Sequence, residues 1–450
     1  MMKLSLIISV LLLLLSFFSI VEIEQTERVL KNPKVGKFPR VNILVDNLRR
    51  NKKSPGFISI VSNNPNYSLS KTPISVESSG NTSVRYPKHR FSIQIGRSSD
   101  WLDGNNISLF DLYEDDDWTL DGAYRDKLLF RNKLNHDLFN EINGKGSTVN
   151  STFVEVYLNN EYFGLYTLLE KPGRKFYKLP ISKEEGSLKA KIIKHFFDLS
   201  HKSRFHIGYK INRAIARGIY KLDKIISEDK YLEYAFYKAQ RPGADFFLDE
   251  PLTQGYDQKF PKQKYLPNSS NLKDLITFVN ISTDKEFLES IWKKLDRESA
   301  INYFLLLFLN SGVDNLKANY ILLLRDGIFY LRPWDLDNTF RSIHFRKQVI
   351  QAKYDSWGYE SNLLYRRLLK SDPEFRKDLV TKWFELRKNI FSSKSLRHRF
   401  QQYYNNVSID GALLRNHKKW NFKNPYDEFN LVLKWIDKRL DFVDNKLKNF

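Results

Sequence analysis

The chain has 450 residues, 42% of them hydrophobic, enough to bury a substantial core and to exclude global disorder. Its 73 lysines and arginines against 52 acids give a formal charge of +21, which favours polyanionic partners such as nucleotide, nucleic acid, anionic lipid or acidic protein. The absence of cysteine excludes disulfide frameworks, thiolate metal sites and a cysteine nucleophile, and the eight histidines lack the HExxH or HxH spacing of a zinc hydrolase.

Leu4 to Val21 carry no charge, which predicts an export signal; its length favours an uncleaved anchor, with the chain facing outside the cytoplasm, over a cleaved signal peptide. Residues 22–56 read as a basic stalk with one strand at Val41–Val45. Residues 57–450 then read as a single α+β unit of two lobes: a β-rich N-lobe (57–172), a basic helical insertion (173–230) and a helical C-lobe (231–450). Phe57–Val61 and Phe91–Ile95 alternate as half-buried strands do. Leu128, Arg131, Leu134, Leu138 and Ile142 predict a helix over 127–142 with Asp126 as its N-cap. Arg131 on that apolar face demands a carboxylate partner. The acidic run Glu114–Asp117 reads as a solvated loop. Asn159-Asn160 between Val154–Leu158 and Tyr162–Tyr166 predicts a two-residue hairpin turn. Seven Asn-x-Ser/Thr sequons begin at Asn66, Asn81, Asn106, Asn150, Asn268, Asn280 and Asn406, and they matter only where exported proteins are glycosylated.

The densest group of chemically useful residues runs from Ser311 to Asp337. Asp326-Gly327 predicts a tight turn that folds Tyr320–Leu324 back on Ile328–Leu331, bringing the residues before Tyr320 beside those after Leu331. With a two-residue loop, Asn319 stands opposite Trp334; with three, opposite Asp335. Either register gathers Asp314, Asn319, Asp335 and Asp337, oxygen donors suited to a hard cation such as Mg²⁺ bridging phosphate oxygens. An Asp, four residues, an Asn, a hairpin and a further Asp is the order in which protein kinases place their catalytic and metal-binding groups, although the HRD and DFG letters are absent.

Read together, SGNTS-x3-PKHRFSIQI (79–95), D-x4-RNKL (126–134), VEVYLNNEYFGLYTLLEK (154–171), FYKA (236–239), VDNLKAN (313–319) and PWDLD (333–337) resemble the CotH kinase family of spore-coat-protein-H-like atypical kinases. That resemblance implies a protein-kinase-like fold that binds ATP with Mg²⁺ or Mn²⁺ and phosphorylates Ser or Thr of secreted or surface proteins. It assigns Asp314 as the catalytic acid, Asn319, Asp335 and Asp337 as metal ligands, and Lys88, Glu170, Lys238 and Trp334 to the nucleotide. On its residues alone, Trp334 reads better as packing the base of the hairpin than as stacking on a nucleotide, since 14% of the chain is aromatic. Ser79 replaces the usual Arg, His89 a second Lys, and Arg341 a Gly, so an inactive kinase-like binding protein is the alternative. The basic 173–230 segment reads as a solvated face or as a dock for an anionic surface, and no nucleic-acid partner is expected.

Overall fold

The computed structural model describes residues 36–80, 83–97, 100–180, 187–202, 206–226, 232–240, 243–247, 253–263, 270–341, 352 and 361–450. The apolar segment 4–21 lies outside the described residues. Among those described, no helix is long and apolar enough to cross a membrane.

Twelve strands are present among the described residues: β1 (Arg40–Leu44), β2 (Ser54–Val61), β3 (Leu69–Ser79), β4 (Arg90–Arg97), β5 (Asp100–Gly104), β6 (Asp117–Asp121), β7 (Ser151–Leu158), β8 (Glu161–Glu170), β9 (Tyr234–Ala239), β10 (Tyr256–Phe260), β11 (Tyr320–Arg325) and β12 (Ile328–Pro333). Seven of them follow the order β3-β2-β1-β7-β8-β6-β4, and β3 also pairs with β4, so the sheet closes on itself as a barrel with β5 on the end of β4. Closure removes the exposed edges that an open sheet would offer. Its interior is filled by alternate residues of each strand, among them Val41, Ile43, Ile58, Ile74, Phe91, Ile93, Trp118, Leu120, Val154 and Leu168. The Asn159-Asn160 turn forms as expected, both residues having positive φ, between Leu158 and Glu161.

The structure differs from the sequence reading at three points. The stretch read as a stalk contributes β1, which pairs with β2 and, in parallel, with β7, so the folded unit starts before residue 57. Val41 and Ile43 fill the barrel, and burial of these two side chains outweighs the polar composition around them. The helix expected over 127–142 runs Arg131–Asn143. Leu129 has a positive φ that a helix cannot carry, and Asp126 serves the preceding turn by accepting from Leu128 N and Arg131 N. Finally, Asp115 and Asp116 are buried, not solvated, because Lys175 pairs with both.

The second sheet, β10-β9-β11-β12, lies against the helical C-terminal region. At the centre of that region the helix Arg297–Asn310 buries twelve of its fourteen residues. Asp296 caps it by accepting from Ser299 N at 2.7 Å. Ser311, at φ 58°, ends it in the left-handed region. Gly312 follows where a Cβ would lie 2.8 Å from Asn310 Oδ1 and 2.9 Å from a Leu307 methyl, so the chain turns there only without a side chain. The turn delivers Asp314 to the end of β11. The β-rich first part and helical second part make the molecule α+β.

Candidate active site

β11 and β12 pair Arg325 with Ile328 and Tyr320 with Pro333, the register of a two-residue Asp326-Gly327 turn. Beyond the last pair the strands are held by side chains. The Asn315 amide donates to Asn319 O at 2.8 Å and to Trp334 O at 2.9 Å, while Asn319 N donates to Ala239 O at 2.7 Å. Asn319 sits at φ 57° and Asp335 also at φ 57°, conformations that cost a side-chain-bearing residue energy unless the surroundings impose them. Here the Asn315 clamp supplies that constraint, leaving the Asn319 amide without a hydrogen bond among the described residues. Asp314 lies in the short helical turn Val313–Leu316 and accepts at 2.7 Å from Asn338 Nδ2.

The loop from Trp334 to Arg341 is pinned from below. Leu336 N donates to Asn132 Oδ1 at 3.0 Å, and Leu336 O accepts from Asn135 Nδ2 and Thr339 Oγ1. Asn310 donates to Asn135 at 2.7 Å, and Phe340 N donates to Asn310 O. Arg131 extends the clamp. It pairs with Asp126, reaches Glu428 at 2.6 Å and donates to Phe340 O at 3.2 Å. Arg341 binds the other Glu428 oxygen at 2.8 Å. This buried network leaves Leu336 facing the core and Asp335 and Asp337 on the opposite side of the loop.

Charge in this region is separated into two clusters. Burial, then Asp335 and Asp121, push the Asp337 carboxyl well above the usual carboxylate range. Burial also raises Asp335, as do Asp121 and Asp314, whereas Arg90 and Lys238 pull it down. Neither carboxylate forms an ion pair or accepts a hydrogen bond among the described residues. Asp121, at the end of β6, accepts from Asn132 Nδ2 at 3.3 Å. The cations Lys238 and Arg90 stand over the Trp334 ring at 4.1 and 5.4 Å from its centroid. Burial holds Lys238 well below the usual lysine range, with Arg90 adding to the effect and Asp335 opposing it.

Half-buried carboxylates in one cluster, with no direct ion pair among the described residues, are oxygen donors of the kind that suits a hard cation. The fit has a limit: no group of three or more Asp, Glu or His side chains converges on one point among the described residues. A cation would therefore be held by two acids and the Asn319 amide, with other oxygens completing its shell. The sequence profile of the CotH kinase protein family matches residues 76–443, most of the chain. The chain belongs to that family. It is also 21% identical over 332 residues to the inner spore coat protein H of Bacillus subtilis (strain 168), covering 73% of this chain and 77% of that protein.

Within the CotH frame, the structure brings together Asp314, Asn319, Trp334, Asp335, Asp337 and Lys238. Lys88 and Glu170 form no hydrogen bond or ion pair with them among the described residues, although Lys88 lies within the field of Asp121. Lys88 is 1% exposed and donates to Leu165 O at 2.7 Å, over the Tyr166 ring. Glu170 accepts from Tyr113 N at 2.7 Å and from Asn150 N and Nδ2 at 2.6 and 3.0 Å, so its oxygens tie loops to the barrel. Trp334 is buried, with cations over its ring and His136 at 6.3 Å, as a packing residue would be.

Sequence reasoning missed Arg90, Asp121, Asn132, Asn315 and Asn338. Arg90 had a usable signal: Phe91, Ile93 and Ile95 fill the barrel, so Arg90 faces the other way. The β4–β6 ladder ends at Phe91–Leu120, and one further step places Arg90 level with Asp121. Asn132 lies beside Arg131 in the RNKL motif. Asn315 and Asn338 carry no such signal, because their partners are brought to them by tertiary folding.

Proposed function

We propose that this chain is an exported, ATP-dependent protein kinase of the CotH type, with a two-lobed kinase-like fold, that transfers the γ-phosphoryl group to Ser or Thr of a surface or secreted protein. One arrangement carries the reading: Asp335 and Asp337 accept no hydrogen bond among the described residues and lie with Asp121 in one acidic cluster, while Arg90 and Lys238, held over Trp334, flank Asp335. Asp335, Asp337 and Asn319 would hold Mg²⁺ or Mn²⁺, which would supply neutralisation of the phosphate charge. Arg90 and Lys238 would meet the outer phosphates, drawn by charge and fixed over Trp334. Asp314, oriented by Asn338, would accept the proton of the acceptor hydroxyl as it attacks. Lys88 joins the phosphate site only by releasing Leu165 O.

Much of the rate would come from positioning and charge neutralisation. The likeness to an inner spore coat protein and the uncharged segment 4–21 support a place outside the cytoplasm, at a membrane or an outer surface. Incubation with γ-labelled ATP, Mg²⁺ or Mn²⁺ and casein as a generic acceptor, scored also for autophosphorylation, tests the reading. Labelling by the wild type that Asp314→Ala abolishes supports it; equal labelling by both proteins defeats the Asp314 assignment. The alternative, a kinase-like binding protein without transfer, draws on the engagement of Lys88 and the histidine at 89. It predicts a thermal shift with ATP and no labelling.

A further inference from the structure

In the chain between β8 and β9, the helices Leu188–Lys202 and His206–Ile226 pack on each other as a hairpin. Their shared core is small: Ala190, Ile193 and Ala216, with Phe196, Phe197 and Ile219 against it. Large aliphatic side chains are left outside. Leu188 is 74% exposed, Ile207 71% and Ile211 55%, and Ile192, Leu199 and Ile215 are exposed with them. Spacings of four and seven in the first helix, and of four in the second, align these residues as one stripe on each helix. In an antiparallel pair with the core at the seam, both stripes turn to the same side. Lys191 and Lys202 adjoin the first stripe, and Lys210 and Arg217 the second, each exposed on the flank away from the seam. The span 188–226 holds ten Lys and Arg against two Asp.

We infer that this helical hairpin docks the protein on an anionic lipid bilayer. An apolar stripe with cations along its outer rim matches the headgroup boundary, where aliphatic side chains enter the acyl region and long cationic side chains extend to the phosphates. Charge complementarity selects the anionic surface. Six large aliphatic side chains go beyond what ion pairing with an acidic peptide uses, which favours lipid over such a partner. The inference is independent of phosphoryl transfer, because none of these residues belongs to the candidate active site.

Because the chain lacks cysteine, one can be introduced and labelled at a single place in the full-length protein. An environment-sensitive dye on Ile211→Cys is compared with the same dye on Ile281→Cys, an exposed position on another helix. Vesicles of phosphatidylcholine containing about one-third phosphatidylglycerol should shift the emission of the Ile211 label to shorter wavelength and leave the Ile281 label unchanged. Pure phosphatidylcholine should shift neither. Adding Lys191→Gln, Lys210→Gln and Arg217→Gln should raise the lipid concentration at half-shift at least tenfold, on the order of a tenfold loss or less for each cation removed near a charged membrane. Four results would overturn the inference: no shift of the Ile211 label; a shift indifferent to anionic lipid; a shift produced by soluble polyglutamate and not by vesicles; or a label already apolar before lipid is added, meaning that residues 4–21 or a second copy cover the stripe. Since Ile211→Cys removes one stripe residue, flotation of unlabelled wild type with the same vesicles, set against Lys191→Gln/Lys210→Gln/Arg217→Gln, is the second readout.

Discussion

Asp314 accepts a 2.7 Å hydrogen bond from the side-chain amide of Asn338, a residue beyond the hairpin and immediately after Asp337. The bond fixes one carboxylate oxygen and leaves the other for an acceptor hydroxyl. Asp314→Asn should therefore cost about 10²- to 10⁴-fold in transfer rate, as loss of a general base does. Asn338→Ala frees the carboxylate without removing it, and should cost roughly tenfold in kcat with a smaller change in KM for ATP. Equal losses in the two variants would mean that Asn338 does more than orient Asp314.

Asp337 destabilises the ligand-free protein. Its folded-state pKa is raised, so the cost is absent below the usual carboxylate range and grows as pH rises towards the raised value. Asp337→Asn should raise unfolding stability at pH 7 by about 1 kcal/mol and abolish the stabilisation that Mg²⁺ and ATP give the wild type. Urea titrations with and without Mg²⁺ and ATP read both effects. A less stable variant that still responds to the ligands would remove Asp337 from the metal site.

Lys88 and Lys238 separate in the structure, one bound to Leu165 O and the other over Trp334. Lys238→Met should raise the KM for ATP at least tenfold. Lys88→Met replaces a buried amine with an apolar chain of similar length and should leave the unfolding midpoint unchanged or higher, with KM within about threefold. Loss of nucleotide binding by a folded Lys88→Met protein would return Lys88 to the phosphate site.

Arg131 is fully buried among Asp126, Glu428 and Phe340 O. Arg131→Met leaves two buried carboxylates without their common cation and should cost about 3–5 kcal/mol. Denaturant titration measures this. Because the same residue supports the loop carrying Asp335 and Asp337, transfer activity should fall even where the variant is folded.

His136 lies beneath Trp334, its Nδ1 on Thr148 Oγ1 at 2.8 Å. Burial, with Lys133 and Arg90 nearby, pushes it down to about 3. The folded protein keeps the ring neutral while the unfolded chain protonates it near 6.5, so stability is present above pH 6.5 and is lost as pH falls towards 3. Thermal midpoints between pH 7 and 4 should fall less steeply in His136→Gln than in the wild type. Parallel slopes would assign the acid loss to other groups.

The hairpin Tyr320–Pro333 and its turn were legible because Asp-Gly between two apolar runs is a local device whose register follows from loop length. The need of Arg131 for a carboxylate was legible too, since a guanidinium on an apolar helix face has no other stable state. Glu428, which lies 297 positions away, was not. Nor was the role of β1: five residues in a basic, polar stretch carry too little pattern to reveal that they complete a barrel.

Local chemistry along the chain thus specified the class of fold and the acidic cluster after the hairpin, because turns, alternation and motif spacing act over a few residues. Which cations face that cluster was settled by packing. Lys88 and Arg90 are two residues apart and both basic, yet one is drawn to the Leu165 carbonyl and the other to Trp334 and Asp335. Closure of β3 onto β4 and the seating of Leu336 in the core decide between them, since both depend on contacts between segments distant in sequence.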